Sequence, residues 1–214
     1  MRLLTESISQ AGILVPVIVR KLEGGTYQLI SGHRRRHACE LLGIEELPAI
    51  VREADEDEAT IMMVDSNFQR EIILPSEKAK AYKMKLDAIK RQGERTDLTC
   101  GQLGHKLEGQ KARDIIAETS PDSARQIQRY IRLNELIPEL LAMVDEGRIT
   151  LTPAVELSYL NEREQNDLLI TIDSEQATPS LSQAIRMKKR SQAGILTETL
   201  PRLRDEIGRA LENK

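Results

Sequence analysis

Apolar positions recur at two different periods along this chain, and the change of period divides it. Up to about residue 52 the pattern mixes both. A short helix is expected over about Leu3 to Gln10, then a strand over Val15–Arg20. Gly24-Gly25 marks a hairpin turn into Thr26–Ser31. Ala38, Leu41 and Leu42 then form a helical pattern that stops at Gly43, and Leu47–Arg52 returns as a strand. Ala54-Asp55-Glu56-Asp57-Glu58 opens a helix that carries Ile61, Met62 and Val64. Its acids sit where the helix dipole favours them. The next helix is expected from Pro75-Ser76, with Ser76 as N-cap and Glu77 in the first turn. Its stripe is Ala79, Tyr82, Leu86 and Ile89, with Gly93 as its stop, and the polar stretch Arg91 to Leu98 is expected as a linker.

Everything beyond the linker has helical spacing. Lys111–Glu118 is a short helix, Thr119-Ser120-Pro121-Asp122 a turn, and Ser123 the cap of the next helix. Glu139–Glu146 follows, ended by Gly147. A helix then starts at Thr152-Pro153, read as N-cap and first helical position, and carries Ala154, Val155, Leu157 and Leu160. Asp167–Thr171 and Leu181–Arg190 are further helical stretches. Leu196, Leu200, Leu203, Ile207 and Leu211 form a last stripe, too short to be stable alone. It is expected to pair with the same helix of a second chain or to dock on its own domain.

Composition narrows the function classes. The chain of 214 residues contains one Phe, no Trp and four Tyr, so its cores must be aliphatic. The stacking platforms of single-stranded nucleic-acid binders are therefore missing. A net charge of −3 excludes a general polyanion binder, and any nucleic-acid contact must come from local patches. Cys39 and Cys100 lack metal-ligand spacing and are read as thiols of a reducing cytosol. With no signal peptide or long apolar span, the expectation is a soluble, cytoplasmic protein with no membrane partner.

Two constellations carry chemistry. The first is Ile30-Ser31-Gly32-His33-Arg34-Arg35-Arg36-His37-Ala38. A strand–glycine–helix junction exposes unpaired backbone N–H groups and lets the backbone approach a ligand. Arginines in a first helical turn oppose the dipole unless an anion sits there. An isolated arginine run is ordinarily a solvated turn, but this setting favours an anion site. The second constellation is the helix after Ser123. Ala124, Ile127, Tyr130 and Ile131 share one face of it. Arg125, Arg129 and Arg132 fall on the opposite face, with Gln126 and Gln128 on its flanks. Helix, turn and helix in this layout suit double-stranded DNA, since Arg pairs with guanine or phosphate and Gln with adenine. On this wheel alone an ordinary solvated amphipathic helix is the default. The stretch from Ser123 to Leu133 carries no acid, which weakens that default because a merely soluble face mixes both signs. The family resemblance below decides between the two.

Three sequence blocks turn these hints into a family resemblance: Ser7–Arg20, with its Gly12 and Pro16, the Gly32 block, and Asn67-Phe68-Gln69-Arg70-Glu71 followed by Leu74-Pro75-Ser76-Glu77-Lys78-Ala79. In this order they resemble the ParB/Spo0J family of DNA-partition proteins, over roughly residues 1–160. The resemblance implies an α+β, ParB-like (sulfiredoxin-like) N-terminal domain followed by an all-α helix-turn-helix DNA-binding domain. The expected division is 1–92 nucleotide-binding, 93–175 DNA-binding and 176–214 a helical C-terminal segment. The implied function is partition of a chromosome, plasmid or mobile element, by a CTP-binding dimeric clamp on a palindromic, parS-type site. Implied partners are double-stranded DNA, a ParA-type Walker ATPase and a second copy of the chain, on the nucleoid or a plasmid.

By the same resemblance, Gly32, Arg34 and Arg35 hold the nucleotide phosphates, Arg70 adds a phosphate contact, and Asn67 helps coordinate Mg²⁺. His33 is either a phosphate donor or a turn histidine without a role, and His37 and His105 are read as structural or exposed. The family usually carries Glu at the positions of His33 and Ser66, so CTP hydrolysis is less secure than CTP binding. Asp65 is a neighbouring acid but points elsewhere on its helix. The family's approach strand before the first helix and its C-terminal dimerisation domain are not expected here. The DNA-facing set is Ser123, Arg125, Gln126, Gln128, Arg129 and Arg132, and the basic run Arg186–Arg190 is either a phosphate contact or a solvated face.

Rival classes are weaker. A sulfiredoxin-type enzyme needs a thiol in the phosphate turn, and a two-metal nuclease needs clustered carboxylates there; the turn has neither. A KorB-like plasmid transcriptional repressor, using the same helix-turn-helix without nucleotide switching, is the alternative that stands.

Overall fold

The computed structural model describes residues 1–68, 73–98 and 112–194, with backbone alone over 94–98. Arg70, Cys100, His105, Lys111 and the stripe from Leu196 to Leu211 lie outside the described residues. The chain divides into two units, one within Met1–Glu71 and Met84–Ala112, the other within Ile72–Lys83 and Arg113–Lys214.

The first unit is α+β. Helix α1 (Arg2–Ala11) leads to β1 (Val17–Lys21), which turns into β2 (Tyr27–Ser31). Gly24 and Gly25, in the connection between the two strands, both take positive φ, 94° and 84°, a conformation glycine adopts without steric cost. Helix α2 (His33–Leu42) follows, and β3 (Ala49–Arg52) adds to the free edge of β1. The sheet order is β2-β1-β3, with β2 antiparallel and β3 parallel to β1. Ala38 and Cys39 of α2 pack on Ile8 of α1, with Leu4, Ile13 and Leu42 around them. Leu41, expected on that apolar face, is instead exposed. Helix α2 is short and buries a narrow stripe, so one of two adjacent leucines must face out.

Helix α3 (Glu56–Phe68) starts with a reciprocal cap: Glu58 N–H donates to Asp55 Oδ1 (2.8 Å), and Asp55 N–H donates to Glu58 Oε2 (3.0 Å). Helix α4 (Pro75–Leu98) differs from expectation at both ends. Its first helical residue is Pro75, not the one after Ser76. Glu77 reaches back to the Leu74 N–H (3.2 Å), and the Ser76 N–H donates to Asp145 (2.9 Å). At the other end Gly93 does not stop the helix, and the expected linker Arg91–Leu98 is helical. A glycine inside a helix costs about 1 kcal/mol relative to alanine. That is offset here by pairing to α3: Arg91 Nη2 lies 2.7 Å from the buried Asp57, and the buried Lys85 bonds to Asp65.

The second unit is helical in its described residues: α5 (Ala112–Glu118), α6 (Ala124–Arg132), α7 (Pro138–Asp145), α8 (Leu151–Leu157), α9 (Glu162–Glu175) and α10 (Leu181–Gln192). Its core is aliphatic, as the composition demands: Leu133, Leu140, Leu157, Leu168, Ile172 and Met187 are fully buried. Helix α8 is capped at Thr150, not Thr152, and Pro153 sits within its first turn. Proline is tolerated there because first-turn N–H groups have no intrahelical partner.

Candidate functional site

Gly32 is the pivot of the first unit. It is the N-cap of α2 at φ 107° and ψ 19°, a conformation that side chains disfavour. A Cβ there would lie 2.6 Å from Val17 Cγ1 and 3.3 Å from Val17 Cα, so the turn is pressed against β1. No side chain caps α2, and its first helical bond runs from Arg36 N–H to Gly32 O (3.0 Å). The N–H groups of His33, Arg34 and Arg35 are therefore the orphan donors of a helix N-terminus. These three residues line a pocket of about 170 Å³ together with Ile30, Ser31, Gly32, Ser66 and Asn67. The end of α3 thus brings Asn67 to the arginine turn across more than thirty residues of chain, as the resemblance implies.

Among the described residues the pocket is lined by two arginines, a histidine, serines and an asparagine, and by no Asp or Glu. Orphan amides, a helix N-terminus and cations together favour an anion. The pocket is smaller than the roughly 300–1,000 Å³ of small-molecule sites, so its size suits phosphates better than a whole nucleotide. A larger depression, of about 440 Å³, covers the apolar sheet face of Val17, Val19, Leu29 and Val51, with Arg36 as its cation. It lacks convergent polar donors.

The arginines of the turn do different things. Arg34 is exposed and makes no hydrogen bond or ion pair among the described residues. Arg35 donates through Nη1 to the carbonyl oxygens of Val15 and Pro16, the latter at 2.7 Å. It therefore ties the entry of β1 to α2, a structural duty that the sequence pattern did not announce. Arg36 pairs with Glu40 at 2.9 Å. Asp65, the spare acid, is held by Lys85 and does not line the pocket. Among the described residues no group of three or more His, Cys, Asp or Glu could hold a metal. Asn67, near the end of α3, lines the pocket.

In the second unit, α5, the turn and α6 come together around the buried Ile116 and Ile127. Ser123 Oγ accepts the Gln126 N–H (3.3 Å), which makes it the N-cap of α6. Asp122 just before it accepts the Tyr82 hydroxyl (2.7 Å) and Lys78 Nζ (2.9 Å) from α4. Burial, then the hydrogen bond to Asp122 and its charge, push the Tyr82 phenol well above its usual pKa.

The expected arginine face splits. Arg125 and Gln128 are exposed, and Gln128 accepts from Arg113 at 2.9 Å. Arg129 is half-buried and donates to Gln126 Oε1 (3.2 Å) and Thr152 Oγ1 (2.5 Å). Arg132 turns inward: it bonds to Ser158 and stands over the Tyr159 ring. Lys188 of the basic run pairs with Glu156 and lies over the same ring. Thr152, Ser158 and Tyr159 were missed by the pattern because nothing local marks them as partners of arginines more than twenty residues away.

A family model described as the ParB N-terminal domain matches residues 1–68. The chain is 30% identical over 162 residues to the chromosome-partitioning protein Spo0J of Thermus thermophilus, covering 76% of this chain and 52% of that protein. It is 34% identical over 167 residues to the stage 0 sporulation protein J of Bacillus subtilis, covering 78% and 52%. This chain belongs to the ParB/Spo0J family. It spans about half the length of those relatives. A solved structure of a Pnob8-like ParB-N domain is similar in fold, with a TM-score of 0.52 and 17% identity over 96% of this chain and 86% of that one. The mixed α+β character read from the residues, and the ParB-N-like fold that the resemblance implies, are thus present. No helix among the described residues is long and apolar enough to cross a membrane.

Proposed function

We propose that this ParB-family chain binds a palindromic double-stranded DNA site through the helix-turn-helix α5–α6, and binds CTP with Mg²⁺ at the Gly32 turn, as a dimeric clamp in DNA partition with a ParA-type ATPase. The observation that carries this reading is the juxtaposition in one pocket of the uncapped α2 N-terminus, Arg34 and Asn67. The donor set fits a triphosphate: it combines orphan amides of a helix N-terminus with arginines, and among the described residues no Asp or Glu lines the pocket. It also fits Mg²⁺ held mainly by phosphate and water oxygens, for which few protein ligands are needed. Asn67 would be the protein ligand, and the ion would neutralise phosphate charge. His33 donates to phosphate in this reading, and Arg70 adds a contact. On the DNA side, Arg125, Gln126, Gln128 and Arg129 face the duplex, and Ser123 orients α6 by capping it. The domain division proposed is 1–92, 93–175 and 176–214, on function rather than on a break in α4.

The relatives' names support the partition reading, since the Thermus protein is called chromosome-partitioning. The test is calorimetry with each of the four ribonucleoside triphosphates and Mg²⁺, with and without a palindromic duplex. Selective CTP binding that the duplex strengthens is expected. Duplex binding with no triphosphate binding would leave a repressor of the KorB type.

A further inference from the structure

We propose that Arg132 and Tyr159 are positioning residues for α6, and that Arg132 itself touches no nucleic acid. This rests on the reading of α6 as the DNA reader. Arg132 Nε donates to Ser158 Oγ (3.1 Å) and Nη2 donates to the Ser158 carbonyl (2.9 Å), and its guanidinium carbon lies 4.2 Å from the Tyr159 ring centre. A guanidinium is a rigid planar fork, so two bonds at its edge and a ring against its face leave it one orientation. Its anchor is firm. Ser158 is buried, and its hydroxyl donates back to the Val155 carbonyl at 2.8 Å.

The same ring serves a second cation. Lys188 Nζ of α10 lies 3.6 Å from the Tyr159 ring centre and pairs with Glu156 of α8 at 2.9 Å. One aromatic side chain thus joins the last turn of α6, the end of α8 and α10. Arg132 also sits in the last turn of α6, where a cation complements the dipole. Turning it toward a duplex would break two hydrogen bonds and the stack. Arg125, near the other end of α6, is exposed and bound to nothing among the described residues. The ring therefore sets the angle at which α6 presents Arg125 and Gln128, which governs specificity rather than charge.

Full-chain variants would be titrated, at several salt concentrations, with a palindromic duplex selected by the parent from a randomised pool and with a shuffled duplex. Tyr159→Ala and Arg132→Ala should each weaken the selected duplex about tenfold. Neither should change the shuffled duplex or the salt slope, and the double variant should be no weaker than either single one. Tyr159→Phe keeps the ring and should behave as the parent. Arg132→Lys keeps the charge but not the fork, and should behave as Arg132→Ala even if Tyr159→Ala does not fold. A phosphate contact would give the opposite: Arg132→Ala would weaken both duplexes, lower the salt slope by about one, and leave Tyr159→Ala silent. That result overturns the proposal. Arg125→Ala separates the two ideas: if it binds the selected duplex as tightly as the parent, the reading of α6 fails and this proposal with it. If Arg125→Ala weakens binding while the Arg132 and Tyr159 variants do not, the proposal alone fails.

Discussion

Gly32→Ala should be far more damaging than the same change at the other end of the same helix. Gly32 and Gly43 bracket α2, both with positive φ, 107° and 68°. An alanine at either position meets left-handed backbone strain of about 1–2 kcal/mol. Part of that is returned, about 0.4–1 kcal/mol, because alanine restricts the unfolded chain. At Gly43 nothing lies within 4 Å of the added Cβ, so the account ends there and the net cost is at most about 1.6 kcal/mol. At Gly32 the Cβ meets Val17 Cγ1 at 2.6 Å, Val17 Cβ at 3.0 Å and Val17 Cα at 3.3 Å. Val17 is 2% exposed and lies in the central strand, so it cannot step aside. Overpacking of this kind adds about 1–3 kcal/mol. Urea unfolding followed by far-ultraviolet circular dichroism should thus give Gly32→Ala a cost about 1–3 kcal/mol above that of Gly43→Ala. Pairing the change with Val17→Ala should recover about 1 kcal/mol of coupling, since the nearest atom is then gone. Equal costs at the two glycines, or strict additivity with Val17→Ala, would refute the close-approach argument.

Other outcomes follow from single contacts. Tyr82→Phe removes the hydroxyl that donates to Asp122 and should cost about 1.5–3 kcal/mol in a thermal or urea melt. The phenol of Tyr82 is held above its ordinary value in the folded chain, so above about pH 10 the unfolded state releases a proton that the folded state keeps. Stability should therefore fall as pH rises past that point until the folded phenol also ionises, and Tyr82→Phe should flatten this loss. Arg34→Ala should weaken CTP binding in calorimetry by about 1.5–3 kcal/mol while melting like the parent, because its guanidinium supports no other residue described here. Arg35→Ala should also lower stability, by about 1 kcal/mol, because it frees the Val15 and Pro16 carbonyls; unchanged melting would remove its structural duty. Arg125→Ala should weaken a selected palindromic duplex by about 1–3 kcal/mol if it reads a base, and equal affinity would remove α6 from the DNA surface.

Much of this protein was determined locally, where the physics spans a few residues. Gly32 between a strand and an arginine-rich helix, Gly24-Gly25 in a hairpin and Ser123 as a cap are properties of adjacent backbone groups, and the structure has them where the pattern places them. The order of the family's blocks also links the Gly32 turn to the Asn67 block, and the fold brings Gly32 and Asn67 to one pocket. Helix ends were less legible. Ser76, Gly93 and Thr152 look like a cap, a stop and a cap. A carboxylate at Glu77, ion pairs along α4 and the hydroxyl's other partner, Arg129, decide otherwise.

What only the tertiary structure decided is which long side chains are at liberty. Helical periodicity puts Arg125, Arg129 and Arg132 on one face, and there it stops. An arginine reaches several ångströms beyond its backbone, so its partner depends on what the fold brings near. Arg35 finds Val15 and Pro16 some twenty residues back, Arg129 finds Thr152, and Arg132 finds Ser158 and Tyr159. None of these separations has a period that a local pattern can register. The sequence by itself placed cations at the Gly32 turn and along α6; chain packing chose which of them hold the fold and which, Arg34 and Arg125, are left exposed.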